Sequence, residues 1–201
     1  MINNTLSGLY SPGSTIKPIV ALSALENNII NPNFKVKCTG KTELYGQTFH
    51  CWKEKGHGFV SLKNAMKQSC DTYFYEIARL LGVDRLNVTA KKFGLGEKVL
   101  GEYFDNEKKG LFPNTNWKKN NLGGGWVLGE TLITGIGQGY TQTTPLQLCL
   151  MTAQIANGGY KIKPKMLTDD NQLTSEQVKK AMEDSNLNNL YIPLFDDTKN
   201  I

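Results

Sequence analysis

Ser14 and Lys17 lie three residues apart in the segment Pro-Gly-Ser-Thr-Ile-Lys-Pro, where an apolar helical pattern begins. Residues at i and i+3 share a helix face, so this spacing predicts that the lysine amine lies beside the serine hydroxyl. A serine needs a neighbouring base to act as a nucleophile, and a lysine desolvated beside other cations can fill that role. The Ser14 backbone N–H, at a helix N-terminus, is placed to face a developing oxyanion. The pair predicts acyl transfer through a serine ester, and a serine helix cap beside a solvated lysine is the alternative.

A second group of reactive side chains is Ser69-Cys70-Asp71, in a break between two predicted helices. Ser69 has a hydroxyl that can relay a proton between Lys17 and a leaving amine, and Asp71 can orient such a network. Asp71 is also a good N-cap for the helix predicted from Thr72, and the two roles are compatible.

Three cysteines and a histidine form the series C-x12-C-x5-H-x12-C, made of Cys38, Cys51, His57 and Cys70. Three thiolates and one imidazole are a normal closed ligand set for structural zinc. The segment between Cys38 and His57 has too few apolar residues to hold itself in place and would gain from a metal. Because Cys70 lies inside the second motif, a metal here would also fix the loop that presents Ser69.

Other interpretations of these cysteines stay open. A Cys38–Cys51 disulfide with His57 on the surface is compatible with an oxidising compartment, and unrelated burial is a third possibility. Strand alternation predicts that His50 points away from Cys51, so His50 is not expected to be a ligand. Cys149 lies in the apolar segment Leu-Gln-Leu-Cys-Leu-Met and is expected to be a buried core thiol.

The elements that must position these groups are predicted from hydrophobic periodicity and turn residues. The pattern predicts helices over 14–27, 61–68, 72–81, 83–93 and 144–157, short strands within 31–60, and a loop over 97–130. A short strand is expected over 131–139, leading into a glycine-rich turn, another over 160–167, and an exposed helix over 172–184. These expectations describe a mixed α/β fold.

Composition bounds the class of protein. The chain has 201 residues, 39% of them hydrophobic and 20% charged, with 23 Lys+Arg against 18 Asp+Glu. These values exclude a chain that is disordered by composition, and no apolar run approaches the ~18 residues of a membrane-spanning helix. The lysines are scattered rather than clustered, so no nucleic-acid partner is indicated. No signal peptide is recognisable in the sequence, so the compartment cannot be read from a targeting segment.

Three long collinear segments, 10–26, 49–86 and 129–159, resemble the transpeptidase domain of elongation-type class B penicillin-binding proteins. The resemblance implies a penicillin-binding protein and serine β-lactamase-like fold, with an antiparallel sheet flanked by helices and a helical subdomain. It implies that Ser14 is the acylated nucleophile and Lys17 its partner, as in the Ser-x-x-Lys motif of this family. Ser69 and Asp71 occupy the position of the second family motif, where many relatives carry asparagine instead of aspartate.

The same resemblance implies a role for the glycine-rich segment 135–139. In the family this segment packs beside the catalytic sheet and shapes the cleft, so Gly137, Gln138 and Gly139 are expected to border the substrate. A nucleotide-binding loop is not expected, because no strand–GxGxxG–helix unit surrounds these glycines. Elongation-type relatives also carry a metal site in the region of Cys38 to Cys70, with carboxylates in place of some thiols.

The third family motif, Lys-Thr-Gly on a strand beside the active site, does not occur in the expected place. Residues 1–201 are therefore expected to form a partial transpeptidase domain that lacks this strand and final sheet strands, the membrane anchor and the pedestal. We expect little or no activity from the isolated chain, and stoichiometric labelling of Ser14 by a fluorescent penicillin would contradict that expectation.

The function implied is peptidoglycan D,D-transpeptidation during cell elongation. Expected partners are peptidoglycan stem peptides, β-lactam antibiotics, a membrane glycosyltransferase and rod-complex scaffold proteins, at the periplasmic face of the bacterial inner membrane. Structural zinc is the only expected cofactor. A serine β-lactamase or β-lactam sensor, and a non-catalytic zinc-stapled scaffold, are the alternatives.

Overall fold

The computed structural model describes residues 3–101 and 104–164 of the chain. The α-helices are α1 (Asn4–Ser7), α2 (Lys17–Glu26), α3 (Leu62–Gln68), α4 (Asp71–Leu81), α5 (Val83–Lys92), α6 (Thr115–Leu122), α7 (Leu128–Thr134) and α8 (Pro145–Ala156). The strands are β1 (Lys35–Cys38), β2 (Lys41–Leu44), β3 (Gln47–His50) and β4 (Gly58–Ser61). A 3₁₀ turn, Gly13–Ile16, leads directly into α2.

Helix α2 is buried on most of its surface and forms the centre of the described structure. Pro18 lies in its first turn, where a missing N–H breaks no helical hydrogen bond. Ile19, Val20 and Ala24 are completely buried. The helix packs against α4 and α5, so the residues that precede it, including Ser14, are fixed to the core.

Helices α3 and α4 are separated by a sharp break at the second motif. α3 ends at Gln68, its C-cap Ser69 has a left-handed backbone (φ 51°, ψ 44°), and α4 begins at Asp71. α4 is amphipathic and buries Tyr73, Phe74 and Ile77 among other residues. Its burial against α2 holds the start of α4 beside the start of α2.

The strands form two antiparallel two-stranded ribbons. β1 pairs with β4, with Cys38 opposite Gly58, and β2 pairs with β3, with Leu44 opposite Gln47. Both residues of the β2–β3 turn have positive φ, 47° at Tyr45 and 77° at Gly46, as a type I′ hairpin requires. The mixed helical and antiparallel fold expected from the sequence is confirmed, with short strands within the described residues.

Several local predictions are wrong. Residues 131–139 are not a strand, because α7 continues to Thr134 and a turn follows. The segment 97–130 is not only loop, since it contains all of α6 and the start of α7. Residues 160–164 form no strand, while 165–167 and the helix expected over 172–184 lie outside the described residues.

Helix α8 begins as predicted. The Thr144 Oγ1 atom accepts from the Gln147 N–H at 3.2 Å, and the Gln147 Oε1 atom accepts from the Thr144 N–H at 2.9 Å. This helix buries Leu150 and Met151 but exposes Cys149, so the expectation of a buried Cys149 is wrong.

Among the described residues, every helix is too short or too polar to cross a bilayer.

Candidate active site and metal centre

Ser14 is exposed in the 3₁₀ turn before α2, and hydrogen bonds hold the residues on both sides of it. The Thr15 hydroxyl donates to the Pro12 carbonyl at 2.8 Å. The Gly13 N–H donates to the Gly137 carbonyl at 2.9 Å. The turn therefore presents the Ser14 hydroxyl at the surface from a rigid position.

Lys17 is 2% exposed, and its ammonium nitrogen contacts three acceptors of the second motif. The Nζ atom lies 2.7 Å from Asp71 Oδ1, 2.9 Å from Ser69 Oγ and 2.9 Å from the Ser69 carbonyl oxygen. Three acceptors match the three N–H donors of an ammonium group. The charged neighbour of Lys17 is the anion Asp71, the residue that the sequence predicted to orient this network.

Ser69 links Lys17 to Ser14. Its hydroxyl accepts from Lys17 Nζ at 2.9 Å and donates to Ser14 Oγ at 3.1 Å. The hydrogen-bonded path from Lys17 to Ser14 therefore passes through the Ser69 hydroxyl and does not run directly across one helix face. The three groups expected to act together do converge.

The backbone of Ser69 is held in an unfavourable conformation. Its φ of 51° lies in the left-handed region, which costs a non-glycine residue about 1–3 kcal/mol. The Ser69 N–H donates to the Met66 carbonyl at 3.2 Å, and the Cys70 N–H donates to the Ala65 carbonyl at 3.0 Å. These bonds close the C-terminus of α3 and aim the Ser69 side chain toward Lys17.

Asp71 uses both carboxylate oxygens within the site. Oδ1 contacts Lys17, and Oδ2 accepts from the Trp52 backbone N–H at 3.0 Å. Asp71 is the first residue of α4 and not its N-cap, which is Cys70, and in this first turn the helix dipole favours a negative charge. Its carboxylate therefore anchors the lysine and does more than begin a helix.

The segment containing Gly137, Gln138 and Gly139 lies against the turn that carries Ser14. A Cβ atom added at Gly137 would lie 2.2 Å from the Gly13 carbonyl oxygen, and Gly137 has φ of 72°. Only glycine fits this approach. Gln138 and Gly139 are exposed. Their expected contact with substrate stays a prediction, but they lie next to the nucleophile's turn.

The four predicted metal ligands come together. The donor atoms of Cys38, Cys51, His57 and Cys70 all lie within 4.8 Å of one another. His57 Nδ1 is 3.5 Å from Cys38 Sγ and 3.6 Å from Cys51 Sγ. A tetrahedral zinc ion with bonds of about 2.3 Å to sulfur and about 2.0 Å to nitrogen separates its ligands by about 3.5–3.8 Å. The donor set and the two His57–cysteine distances therefore fit zinc.

Each ligand comes from the end of a different element. Cys38 ends β1, Cys51 follows β3, His57 precedes β4, and Cys70 precedes α4. Gly56 makes this possible, since it has φ of 74° and a Cβ there would lie 2.2 Å from the Cys38 carbonyl oxygen. His50 is exposed on β3 and lies outside this cluster, as expected.

The cluster is buried and its polar groups are only partly satisfied. Burial acts to raise the pKa of Cys38, but hydrogen bonds with the Thr72 hydroxyl, the His57 ring and the backbone of Gly40 and His57 outweigh it and lower that pKa to about 6. Burial raises the pKa of Cys70 well above its ordinary value. Within the described residues, His57 Nε2 is buried without a hydrogen-bond partner.

The sequence did not indicate that Trp52 contributes to the site. Its side chain is 63% exposed, yet its indole N–H donates to the Gln68 and Ser69 carbonyls at 3.0 and 3.2 Å. Its neighbour Cys51 was the only signal in the sequence that placed it near the site.

Comparison with known proteins defines the family. The family model described as "Penicillin binding protein transpeptidase domain" matches residues 1–192. The chain belongs to this family of transpeptidase domains. Its high-identity relatives are of the PBP2, or MrdA, type.

Two curated relatives and two solved structures illustrate the similarity. The peptidoglycan D,D-transpeptidase MrdA of Acinetobacter baumannii is 40% identical over 169 residues, which is 83% of this chain and 25% of that protein. The Escherichia coli MrdA is 35% identical over 169 residues, 83% of this chain and 26% of that protein. The chain thus spans about a quarter of the length of the curated relatives it matches.

Among solved structures, Pseudomonas aeruginosa PBP2 in complex with WCK 5153 superposes with a TM-score of 0.78 and 46% identity, covering 81% of this chain and 36% of that one. Helicobacter pylori PBP2, in its complex with MreC, superposes with a TM-score of 0.79 and 36% identity, covering 90% of this chain and 34% of that one. These similarities confirm the family resemblance seen in the sequence.

Proposed function

We propose that this chain carries the acylation centre of a peptidoglycan D,D-transpeptidase. The observation that carries the proposal is the hydrogen-bonded series from Asp71 through Lys17 and Ser69 to Ser14. It connects an exposed nucleophile to a buried ammonium group through a hydroxyl that can both give and accept a proton. The curated relatives that are 40% and 35% identical to this chain are named peptidoglycan D,D-transpeptidases.

In the proposed reaction, Ser14 Oγ attacks the carbonyl of the penultimate D-alanine of a stem peptide. A serine ester forms, the peptide bond to the terminal D-alanine breaks, and free D-alanine leaves. Ser14 Oγ loses one proton, and the amine of the departing D-alanine gains one. Lys17 and Ser69 form the path for proton transfer between Ser14 and that amine. An amine of a neighbouring stem then attacks the ester, which cross-links the two peptides and returns a proton to Ser14. A β-lactam would acylate Ser14 by opening its ring.

A chimera tests this function. In the chimera the matched part of this chain, 83% of its length, replaces the segment of the Acinetobacter MrdA relative to which it aligns. We expect a fluorescent penicillin to label the chimera at Ser14 and Ser14→Ala to abolish labelling. Loss of labelling in a chimera that melts like the unmodified relative would contradict the proposal. Rapid release of hydrolysed β-lactam would favour the alternative of a serine β-lactamase. A chimera that keeps its metal but is not labelled would favour the alternative of a non-catalytic scaffold.

We further propose that Cys38, Cys51, His57 and Cys70 hold a structural zinc ion. The ion would cross-link β1, the β3–β4 connection and the second motif. The support is the convergence of four donor atoms within 4.8 Å. We expect one equivalent of zinc in the purified chain, and a cobalt-substituted chain with thiolate-to-metal charge-transfer absorption. A Cys38–Cys51 disulfide found by mass spectrometry, with less than half an equivalent of zinc, would contradict the site.

For the whole protein we propose action at the periplasmic face of the bacterial inner membrane, with a membrane glycosyltransferase and scaffold proteins as partners. The support is that Helicobacter pylori PBP2 forms a complex with MreC, and that another similar chain belongs to a peptidoglycan synthase complex. Site-specific cross-linking of the chimera in cells tests this proposal. Recovery of a scaffold of the MreC kind would support it, and recovery of cytoplasmic proteins alone would contradict it.

A further inference from the structure

Trp52 supplies two hydrogen-bond donors that hold both ends of the second motif. Its backbone N–H donates to Asp71 Oδ2 at 3.0 Å. Its indole N–H lies between two successive carbonyl oxygens, 3.0 Å from that of Gln68 and 3.2 Å from that of Ser69. One residue therefore contacts the motif before its serine and after its cysteine.

The carbonyls that the indole contacts need such a donor. They lie at the C-terminus of α3, where the last carbonyls of a helix have no helical partner. The Ser69 carbonyl also accepts from Lys17 Nζ at 2.9 Å, so Trp52 and Lys17 share one acceptor. A rotation of the Ser69 peptide would therefore change the position of both the lysine and the Ser69 hydroxyl.

The exposure of the Trp52 ring is consistent with this role. Trp52 is 63% exposed, so the position of its side chain does not come from burial in the core. Its ring packs edge-on against the His57 ring, with centroids 5.2 Å apart. Cys51 is the residue directly before Trp52 in the sequence. Trp52 thus joins the cysteine cluster to the series that ends at Ser14.

We infer that Trp52 is a positioning residue for acylation, acting through its indole N–H on the Ser69 carbonyl and thereby on Lys17 and the Ser69 hydroxyl. The inference rests on the proposed function and assigns no contact between Trp52 and the substrate. Its consequence is that loss of the N–H alone, with the ring retained, slows the acylation step.

The first test uses the 201-residue chain itself and needs no activity. With ¹⁵N-labelled indoles, the Trp52 resonance is assigned by its loss in Trp52→Phe. We expect its N–H to exchange with solvent at least about tenfold more slowly than a free indole, although most of the side chain is exposed. Exchange at the rate of free tryptophan would overturn the inference.

The second test measures acylation of the chimera by a penicillin. We expect Trp52→Phe to lower the acylation rate constant about tenfold, with the apparent affinity for the penicillin and the melting temperature unchanged. The matched control is Trp126→Phe, which removes an indole bond to the Thr131 hydroxyl (2.8 Å) and is expected to leave acylation unchanged.

A third variant separates the N–H from the shape of the ring. β-(3-Benzothienyl)alanine at position 52, in a Trp117→Phe, Trp126→Phe background, keeps the ring shape but has no N–H. It should reproduce the slow acylation of Trp52→Phe. Parental acylation rates in both position-52 variants would overturn the inference. Absence of Ser14 acylation in the parent chimera would instead contradict the proposed function, while indole exchange still reports on Trp52.

Discussion

The Nζ atom of Lys17 lies 2.7 Å from Oδ1 of Asp71, with 3% of the lysine side chain and 14% of the aspartate side chain exposed. Removing one partner of a buried ion pair leaves an uncompensated charge, which costs about 3–5 kcal/mol. We expect Asp71→Ala to lower the free energy of unfolding of the chain by about 3 kcal/mol, measured by urea denaturation. Asp71→Asn should cost less, because its amide oxygen can still accept from Lys17.

The control for this prediction is the partly exposed pair of Glu76 and Arg79 on one face of α4, in which Arg79 Nη2 lies 2.8 Å from Glu76 Oε1. Exposed ion pairs contribute about 0–1 kcal/mol, so Glu76→Ala should change stability by less than about 1 kcal/mol. Equal effects of Asp71→Ala and Glu76→Ala would show that the Lys17–Asp71 pair is not structurally important.

Cys70 and Cys149 form a matched pair for testing the metal centre. Cys70 is completely buried in the donor cluster, whereas Cys149 is exposed on α8. We expect Cys70→Ser to lose the bound zinc and to lower the melting temperature, and Cys149→Ser to keep one equivalent. A strong chelator should lower the melting temperature of the parent and of Cys149→Ser but not that of Cys70→Ser. Unchanged metal content in Cys70→Ser would contradict its role as a ligand.

The Glu130 carboxylate is placed to make stability depend on pH. Burial acts to raise its pKa, but hydrogen bonds from Lys118, the Val127 N–H and the Tyr140 hydroxyl, with the Lys118 charge, lower the pKa below its usual range. Because the folded-state pKa is lowered, the contribution is present above the unfolded value of about 4.3 and is lost as the pH falls through the folded value.

Glu130→Gln tests this contribution. At neutral pH we expect a loss of about 1–3 kcal/mol, with a smaller difference from the parent in acid, measured by urea unfolding across a pH series. The control is Glu43→Gln, which removes an exposed pair with Lys41 and should have little effect at either pH. A pH-independent difference between Glu130→Gln and the parent would contradict the assignment.

Gly137 tests the contact between the glycine-rich segment and the nucleophile's turn. An alanine there would place Cβ 2.2 Å from the Gly13 carbonyl oxygen and would also have φ of 72°. We expect Gly137→Ala to lower penicillin acylation of the chimera by at least about tenfold, because the turn that holds Ser14 must move. Gly46→Ala has a similar φ of 77° but meets no atom within 4 Å, so it should retain acylation. Equal acylation in the two variants would contradict this prediction.

Much of the site could be predicted from sequence because its residues lie at the ends of strongly periodic helices. The break at Ser69-Cys70 separates two amphipathic helices, and the structure has the same break between α3 and α4. The series of three cysteines and one histidine indicated a cluster, because three thiolates and one imidazole are a normal closed ligand set for structural zinc. The path from Lys17 through Ser69 depends on packing between α2 and α4, which no local pattern encodes.

The incorrect predictions have local physical causes. Residues 131–134 are rich in β-branched side chains, which favour a strand, but α7 already begins at Leu128, and Glu130 accepts the Val127 N–H at 3.0 Å. Cys149 lies in an apolar run, yet the helical period turns it outward while Leu150 and Met151 face the core. The Trp52 hydrogen bonds join residues 16 and 17 positions apart, beyond any periodicity.

The most direct test of the central claim is peptide mass spectrometry of the chimera after incubation with a penicillin. The hydrogen-bonded series from Asp71 to Ser14 predicts one covalently attached penicillin, on the peptide that contains Ser14, and none in Ser14→Ala. A folded chimera that gains no adduct under conditions that acylate the unmodified relative, or that gains it on another residue, would contradict the account.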